Sequence, residues 1–328
     1  MRSPAASPIP RRQHSIRRTS HIDMHIDGDE LALHGMARDM ITEATHTSVV
    51  ANAAVHALVD GAGNLASLTI EPVDADGIGL VGRPVSAGFR DAVRAEFPHE
   101  VAIGSPLALL LDDLPVAALI SGYARLYSGT IPAADARAGM KSDICSGWRS
   151  DGTMMSSVRG GTGVPVTLGP TAPALRSDGD HDLVGWHDIE PLRQGSMRRR
   201  RLVDVHVTDD VWRVNAMFRD THVQPHGDET VLHEYTLTAT IDAATRAFLT
   251  CSAVPRVLPF VECPVAAASA DRLVGRSVDA TRDFVRRELR GISTCTHLND
   301  LLRSLGDVGT LASTLDHESN TAGSGVPG

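Results

Sequence analysis

The stretch Cys295-Thr296-His297-Leu298 sets a thiol and an imidazole two residues apart at the start of a predicted helix. A cysteine at a helix N-terminus feels the positive end of the peptide dipoles, which favours the thiolate, and a nearby histidine can take or supply its proton. Thr296 is expected to cap the helix that carries Leu298, Leu301, Leu302 and Leu305, and Cys295 is expected to have a lowered pKa. The competing interpretation is an inert core thiol, since buried cysteines are common.

The rest of the chain must hold that stretch in place. It has 328 residues, 42% of them hydrophobic, enough to bury one large core or two ordinary ones. The formal charge of −9 argues against nucleic acid or an anionic membrane as the main partner. Basic residues cluster twice, as Arg2, Arg11, Arg12, Arg17 and Arg18 near the start and as Arg198 to Arg201. The first cluster is read as a solvated arm and the second as a solvated run flanking a strand. No apolar run approaches the roughly 18 residues of a membrane span, and no signal peptide is evident, so a cytoplasmic location is expected. Cys145, Cys251, Cys263 and Cys295 are too scattered for a disulfide framework and are expected to be reduced.

Two halves of the sequence echo one another. Asp23-Met24-His25 matches Asp204-Val205-His206, and Ala37-Arg38-Asp39 matches Phe218-Arg219-Asp220, both offset by 181 (204 − 23). Further on, Leu80-Val81-Gly82-Arg83 matches Leu273-Val274-Gly275-Arg276, offset by 193 (273 − 80). Each copy starts with stretches of period two, Ile22, Met24 and Ile26 in one and Val203, Val205 and Val207 in the other, as half-buried strands require. Further strands are expected at 54–59 and 65–71, and at 232–241 and 246–252, followed by helices at 86–97 and 279–290. Leu107, Leu110, Leu111 and Leu114 then mirror Leu298, Leu301, Leu302 and Leu305 as the apolar stripe of a core helix. The expected fold is therefore α+β: two repeated units, 17–127 and 198–313, each of about four antiparallel strands followed by two helices, packed about a pseudo-two-fold axis. A long connection rich in Gly, Ser and Pro, 128–197, separates them, with a docking segment at Cys145 to Trp148 and a flexible loop at 159–181. Residues 1–16 and 314–328 are expected to be disordered.

Other motifs are weaker. The Asp23/His25 and Asp204/His206 pairs have the spacing of metal ligands on a strand, but a solvated face accounts for them. Gly61-Ala62-Gly63-Asn64 lies between two strands and so fails as a dinucleotide loop. No phosphate loop, HExxH helix, nucleophile elbow or paired-CxxC zinc site occurs, and aromatic residues are only 4% of the chain.

These features together resemble the bacterial family catalogued as domain of unknown function 2889. The likeness over about 198–310 rests on the Arg-rich entry to the first strand, His233, Cys263-Pro264, Leu273-Val274-Gly275 and above all Cys295-Thr296-His297-Leu298, with Thr294 where the family usually has Gly. The first half resembles the same domain with its site eroded: Ala51 stands opposite His233, and Gly104-Ser105-Pro106 opposite Cys295-Thr296-His297. It keeps the family's cysteine segment as Cys145-Ser146-Gly147-Trp148. The resemblance implies one composite site: His233, Cys263, Cys295 and His297, completed by Cys145 and Trp148 from the first half.

The resulting expectation is a small-molecule enzyme without a cofactor, an isomerase, dehydratase or cyclase (a lyase or isomerase) of catabolic or secondary metabolism. Cys295, His297 and His233 would be catalytic, Cys263, Cys145, Trp148 and Thr296 would support them, and N–H groups at the helix start would hold an oxyanion. One alternative is a zinc- or iron-dependent hydratase or hydrolase built on His233, Cys263, Cys295 and His297. Another is a ligand-binding or assembly domain without catalysis. The oligomeric state is left open.

Overall fold

Alternating apolar residues produce eight strands in one antiparallel sheet: β1 (Ser15–Asp27), β2 (Glu30–Thr42), β3 (Thr47–Val59), β4 (Leu65–Glu71), β5 (Met197–Val207), β6 (Val211–Val223), β7 (Glu229–Asp242) and β8 (Phe248–Val257). The computed structural model describes residues 3–5, 11–44, 46–72, 77–130, 141–175 and 186–323. The spatial order is β4-β3-β2-β1-β5-β6-β7-β8, so two four-stranded meanders join edge to edge through β1 and β5. Each meander is bulged at its second and third strands, between Asp39 and Met40 and between Asp220 and Thr221. A bulge re-aims the side chains beside it, and the candidate site lies at the second of these.

Among the described residues seven α-helices complete the mixed α+β fold: α1 (Phe89–Glu96), α2 (Pro98–Ile103), α3 (Pro106–Tyr127), α4 (Thr153–Arg159), α5 (Thr281–Glu288), α6 (Thr296–Ser304) and α7 (Val308–Gly323). Pro106 opens α3 in the first turn, where its missing N–H costs nothing, and Ser105 accepts a hydrogen bond from the Ala108 N–H at 3.1 Å. The predicted stripe of Leu107, Leu110, Leu111 and Leu114 is buried against β1, β2 and β3. By length and composition α3 could cross a membrane, a possibility the count of apolar runs missed, yet 72% of its most apolar window is buried inside the fold. Two large cores form on this side of the sheet, one around Val55, Phe89 and Leu110, the other around Phe218, Tyr235, Leu298 and Leu301.

Several expectations need correction. Most of the described arginines of the two clusters are not solvated, while Arg12 is exposed and Arg2 lies outside the described residues. Arg17, Arg18, Arg198, Arg199 and Arg201 are each 3% exposed or less. They sit on the two central strands, both faces of which are covered, so each guanidinium must meet a carboxylate. Arg17 pairs with Asp204 (2.6 Å), Arg18 with Asp39 (2.6 Å), Arg198 with Asp23 (2.5 Å) and Arg201 with Asp113 (2.6 Å). The same contacts remove Asp23 and Asp204 as metal ligands and as a solvated face. The arm expected at 1–16 already forms strand at Ser15 and Ile16, and Ala5 is docked, its N–H donating to Glu234 at 2.6 Å. Residues 1–2 and 6–10 lie outside the described residues.

The long connection is also more ordered than its composition suggests. Thr171 bridges Thr230 on β7, and the N–H of Val231 donates to the Pro170 carbonyl at 2.9 Å. The expected loop at 159–181 is therefore docked through 175, and 131–140 and 176–185 lie outside the described residues. Residues 314–323 continue α7, with Leu315 buried, because Leu311, Ala312 and Leu315 share a face that small and polar neighbours concealed. Each meander is thus followed by more than two helices.

Candidate active site

The β6–β7 bulge sets His233 opposite Asp220 in the register. Asp220 is fully buried, and both its oxygens are held by Arg199, through Nε at 2.8 Å and Nη2 at 3.0 Å. Arg199 also reaches Asp300 on α6 at 3.1 Å and lies over the Phe218 ring at 5.3 Å. Burial opposes the charge on Asp220, but Arg199 and His233 outweigh it and hold its carboxyl well below the usual range. His233 Nδ1 stands 3.3 Å from Asp220 Oδ2, off good hydrogen-bond geometry.

His297, in the first turn of α6, stacks on His233 with ring centroids 3.9 Å apart and planes at 20°. Burial first, then the neighbouring His233, pushes its pKa down to about 3, so it is a neutral imidazole at physiological pH. Its Nε2 is buried without a hydrogen-bond partner. His297 lines a cleft of about 900 Å³ together with Thr296, Asn299, Asp300, Arg90 and Arg303. The cleft also takes in the turn at Gly61 to Gly63 and the start of α1, so both halves of the chain wall it.

The thiols lie on the other side of the α6 start. Cys295 occupies the cap position that Thr296 was expected to fill but makes no side-chain cap hydrogen bond, and Thr296 is the first helical residue. The N–H groups of His297 and Leu298 point to the Cys295 sulfur, and that of Thr296 to the Cys145 sulfur. The expected lowering of the thiol pKa is not met either: burial pushes Cys295 up to about 12, with Cys145 adding to it, and overrides the helix dipole. Cys263 is likewise pushed up to about 12 by burial, and burial raises Cys145. The Tyr235 hydroxyl rests beside Cys295 and is raised in turn, by burial first and then by that thiol.

The segment expected to dock does so. The Ser146 N–H donates to the Thr294 carbonyl at 2.9 Å, and a Cβ on Gly147 would come 2.7 Å from the Cys263 sulfur, so only glycine lets the strap lie so close. Trp148 is half-buried against the second core. The fold thus divides the predicted set in two. His233 and His297 stand together, while Cys145, Cys263 and Cys295 form a separate buried group around Tyr235. Among the described residues, the trio whose donor atoms all lie within 4.8 Å of one another is Asp220, His233 and His297, so Cys263 and Cys295 do not complete the metal set first considered. Reasoning from sequence missed Asp220, Arg199 and Asp300 as site residues. Asp220 was visible only as one end of a repeated Arg-Asp dipeptide, Arg38-Asp39 and Arg219-Asp220.

Comparison with known proteins adds one finding. Residues 197–310 match the family described as a protein of unknown function, DUF2889. The DUF2889 match spans one copy of that domain and contains Arg199, Asp220, His233, Cys263, Cys295, His297 and Asp300, while Cys145 lies outside it. No curated protein and no solved structure matches the chain.

Proposed function

We propose that this protein is a cofactor-independent acid/base enzyme, an isomerase, dehydratase or cyclase acting on a small carbonyl-containing metabolite of catabolic or secondary metabolism. The observation that carries this reading is His297: a neutral imidazole with an unpartnered buried nitrogen, at a large cleft, stacked on a second imidazole that leans on a buried carboxylate. His233, its Nδ1 turned to Asp220, takes a proton from the carbon beside the substrate carbonyl at Nε2. Asp220 orients the ring and stabilises the imidazolium, and Arg199 fixes Asp220. His297 donates a hydrogen bond to the carbonyl oxygen, a role for which a histidine kept neutral is suited. Return of the proton to a different atom completes an isomerisation, and loss of a neighbouring hydroxyl as water completes a dehydration. Cys295 and Cys145 serve as buried packing residues at the start of α6 rather than as nucleophiles. Four free, buried cysteines suit a reducing cytoplasm.

The same trio supports a second reading, a zinc or iron site on Asp220, His233 and His297. Two features weigh against it. Imidazole lone pairs lie in the ring plane, so stacked rings point theirs side by side rather than at one ion, and Arg199 already holds both Asp220 oxygens.

We also infer that the first meander is a second, diverged copy of the DUF2889 domain. The strands β2 and β6 correspond end to end at an offset of 181 (211 − 30 and 223 − 42). Bulges recur at Asp39 and Asp220, the lone bridge Asn64 to Pro84 recurs as Ala247 to Ser277, and the pair Arg17 to Asp204 is answered by Asp23 to Arg198.

The enzymatic reading is tested by incubating the protein in deuterated water with a panel of small ketones, hydroxy ketones and oxo acids, and following deuterium uptake by mass spectrometry. Uptake that is lost in His297→Ala and His233→Ala and kept after chelator treatment is the expected result. Uptake unchanged in both variants would sink the assignment, and uptake lost on chelation would turn it into the metal reading.

A further inference from the structure

The sheet face opposite His297 holds a second pocket, of about 290 Å³, between β5, the start of β7 and residues 172–175 and 186–189 of the connection. Pro173, Leu175, Trp186 and Ile189 give it apolar walls, and its polar residues are Arg200, Glu229 and His187. The arginines around it are unequally served. Arg198 is gripped by both oxygens of Asp23 (2.5 and 2.6 Å), and Arg219 by Glu234 (2.6 Å). Arg200, only 14% exposed, has its ion-pair contact at 4.0 Å, to Glu229 Oε1, and that oxygen already accepts the Thr221 hydroxyl at 2.5 Å. Its Nε is buried without a hydrogen-bond partner, and so is the Trp186 Nε1, on a side chain 6% exposed. The local field is positive. Burial first, with Arg198 and Arg200 adding to it, brings His21 down to about 3. His187 is held neutral in the same way, and both its ring nitrogens are engaged, by Thr19 (2.8 Å) and His21 (2.7 Å).

A guanidinium this deeply buried needs a close anionic partner, and a buried indole N–H needs an acceptor. Both orphaned groups are donors. We propose that this pocket binds a small organic monocarboxylate with an apolar body, its oxygens taken by Arg200 and Trp186. The volume, equal to roughly ten water molecules, is at the low end for small-ligand sites. Glu229 penalises a second negative charge, which disfavours phosphate, and the walls of Pro173, Leu175 and Ile189 reward an apolar tail. The site is independent of the acid/base reading, since β5 separates it from His297: Arg199 faces the helices and Arg200 faces the pocket.

The test uses the full chain with sodium benzoate, sodium acetate and inorganic phosphate at matched ionic strength, followed by calorimetry and tryptophan fluorescence. Saturable benzoate binding is expected, with acetate weaker and phosphate weaker still. Arg200→Met and Trp186→Phe should each weaken benzoate by about tenfold or more, as loss of a charge-assisted hydrogen bond requires. Trp186→Phe keeps an aromatic ring in the wall and removes the N–H, so it remains informative should Arg200→Met fail to fold. His297→Ala should bind benzoate as the unaltered protein does. The proposal is overturned by absence of saturable benzoate binding, by a preference for phosphate, by unchanged affinity in Trp186→Phe, or by loss of binding in His297→Ala.

Discussion

The bulges at Asp39 and Asp220 carry the same ion pair and different surroundings. In the first meander Arg18 holds both oxygens of Asp39, and in the second Arg199 holds both oxygens of Asp220. Each arginine is completed by an acid from the later helical region, Asp307 for Arg18 and Asp300 for Arg199, both at 3.1 Å. Opposite Asp39 the register places Ala51, and opposite Asp220 it places His233. Gly104-Ser105-Pro106 opens α3, where Cys295-Thr296-His297 opens α6. The ion pair is therefore architecture, needed wherever a central strand buries an arginine, and the two imidazoles are what makes one bulge a candidate for chemistry.

That comparison can be broken at its foundation first. Asp39→Ala and Asp220→Ala each strand a buried guanidinium, and each should lower the unfolding free energy in urea by about 3–5 kcal/mol. A small loss at Asp39 alone would mean that the first pair is not equivalent to the second. The imidazoles should separate the two bulges most sharply in turnover. His297→Ala and His233→Ala should reduce the rate of proton transfer by about 10²–10⁴-fold, the range for a lost acid/base group, while Ala51→Ser should leave it unchanged. Steady-state rates on any substrate that emerges from the exchange screen would decide this.

The pH dependence of stability follows from the shifts. His297, His21 and His222 have folded pKa values of about 3, 3 and 4, below their unfolded values, so the unfolded chain binds protons that the folded chain refuses. Stability should therefore fall as pH drops from about 6.5, by up to about 1.4 kcal/mol per unit for each such group. The carboxylates Asp220, Asp112 and Asp300 are lowered too, and their contribution is lost only at more acid pH, through the usual carboxylate range and below. Urea unfolding between pH 7 and 4 should show the first slope, and His297→Gln should make it shallower. Removal of Ala51's counterpart, by His233→Ala, tests the same point from the stack.

The smallest effect is expected at the thiol. Serine is a favoured helix cap, so Cys295→Ser should cost no more than about 1–2 kcal/mol and leave turnover intact. Iodoacetamide at neutral pH should leave Cys295 and Cys263 unmodified in the folded protein, and rapid labelling of Cys295 would restore it as a nucleophile.

Much of the frame was legible because it rests on local periodicity. The leucine stripes of α3 and α6, the period-two strands and the changes of period all report burial on one side, which neighbouring residues reveal. The site was legible in part. His233 and His297 were named as candidates, but Arg199 read as solvated charge and Asp220 only as part of a repeat, since nothing local tells a solvated Arg run from one whose carboxylates arrive from other strands and helices. The same blindness affected α7, whose buried face is spaced among serines, threonines and glycines.

The sequence by itself determined the period-two strands and the apolar stripes of α3 and α6, together with the placement of a thiol and an imidazole at one helix start. Only the tertiary structure decided which of the two would face the cleft. Folding buries the Cys295 sulfur among helix N–H groups and other thiols, where desolvation opposes its ionisation, and turns His297 to the cleft against His233. The physical reason is that periodicity is a property of neighbours along the chain. A pKa, by contrast, is set by whatever charges and dipoles the fold brings within a few ångströms.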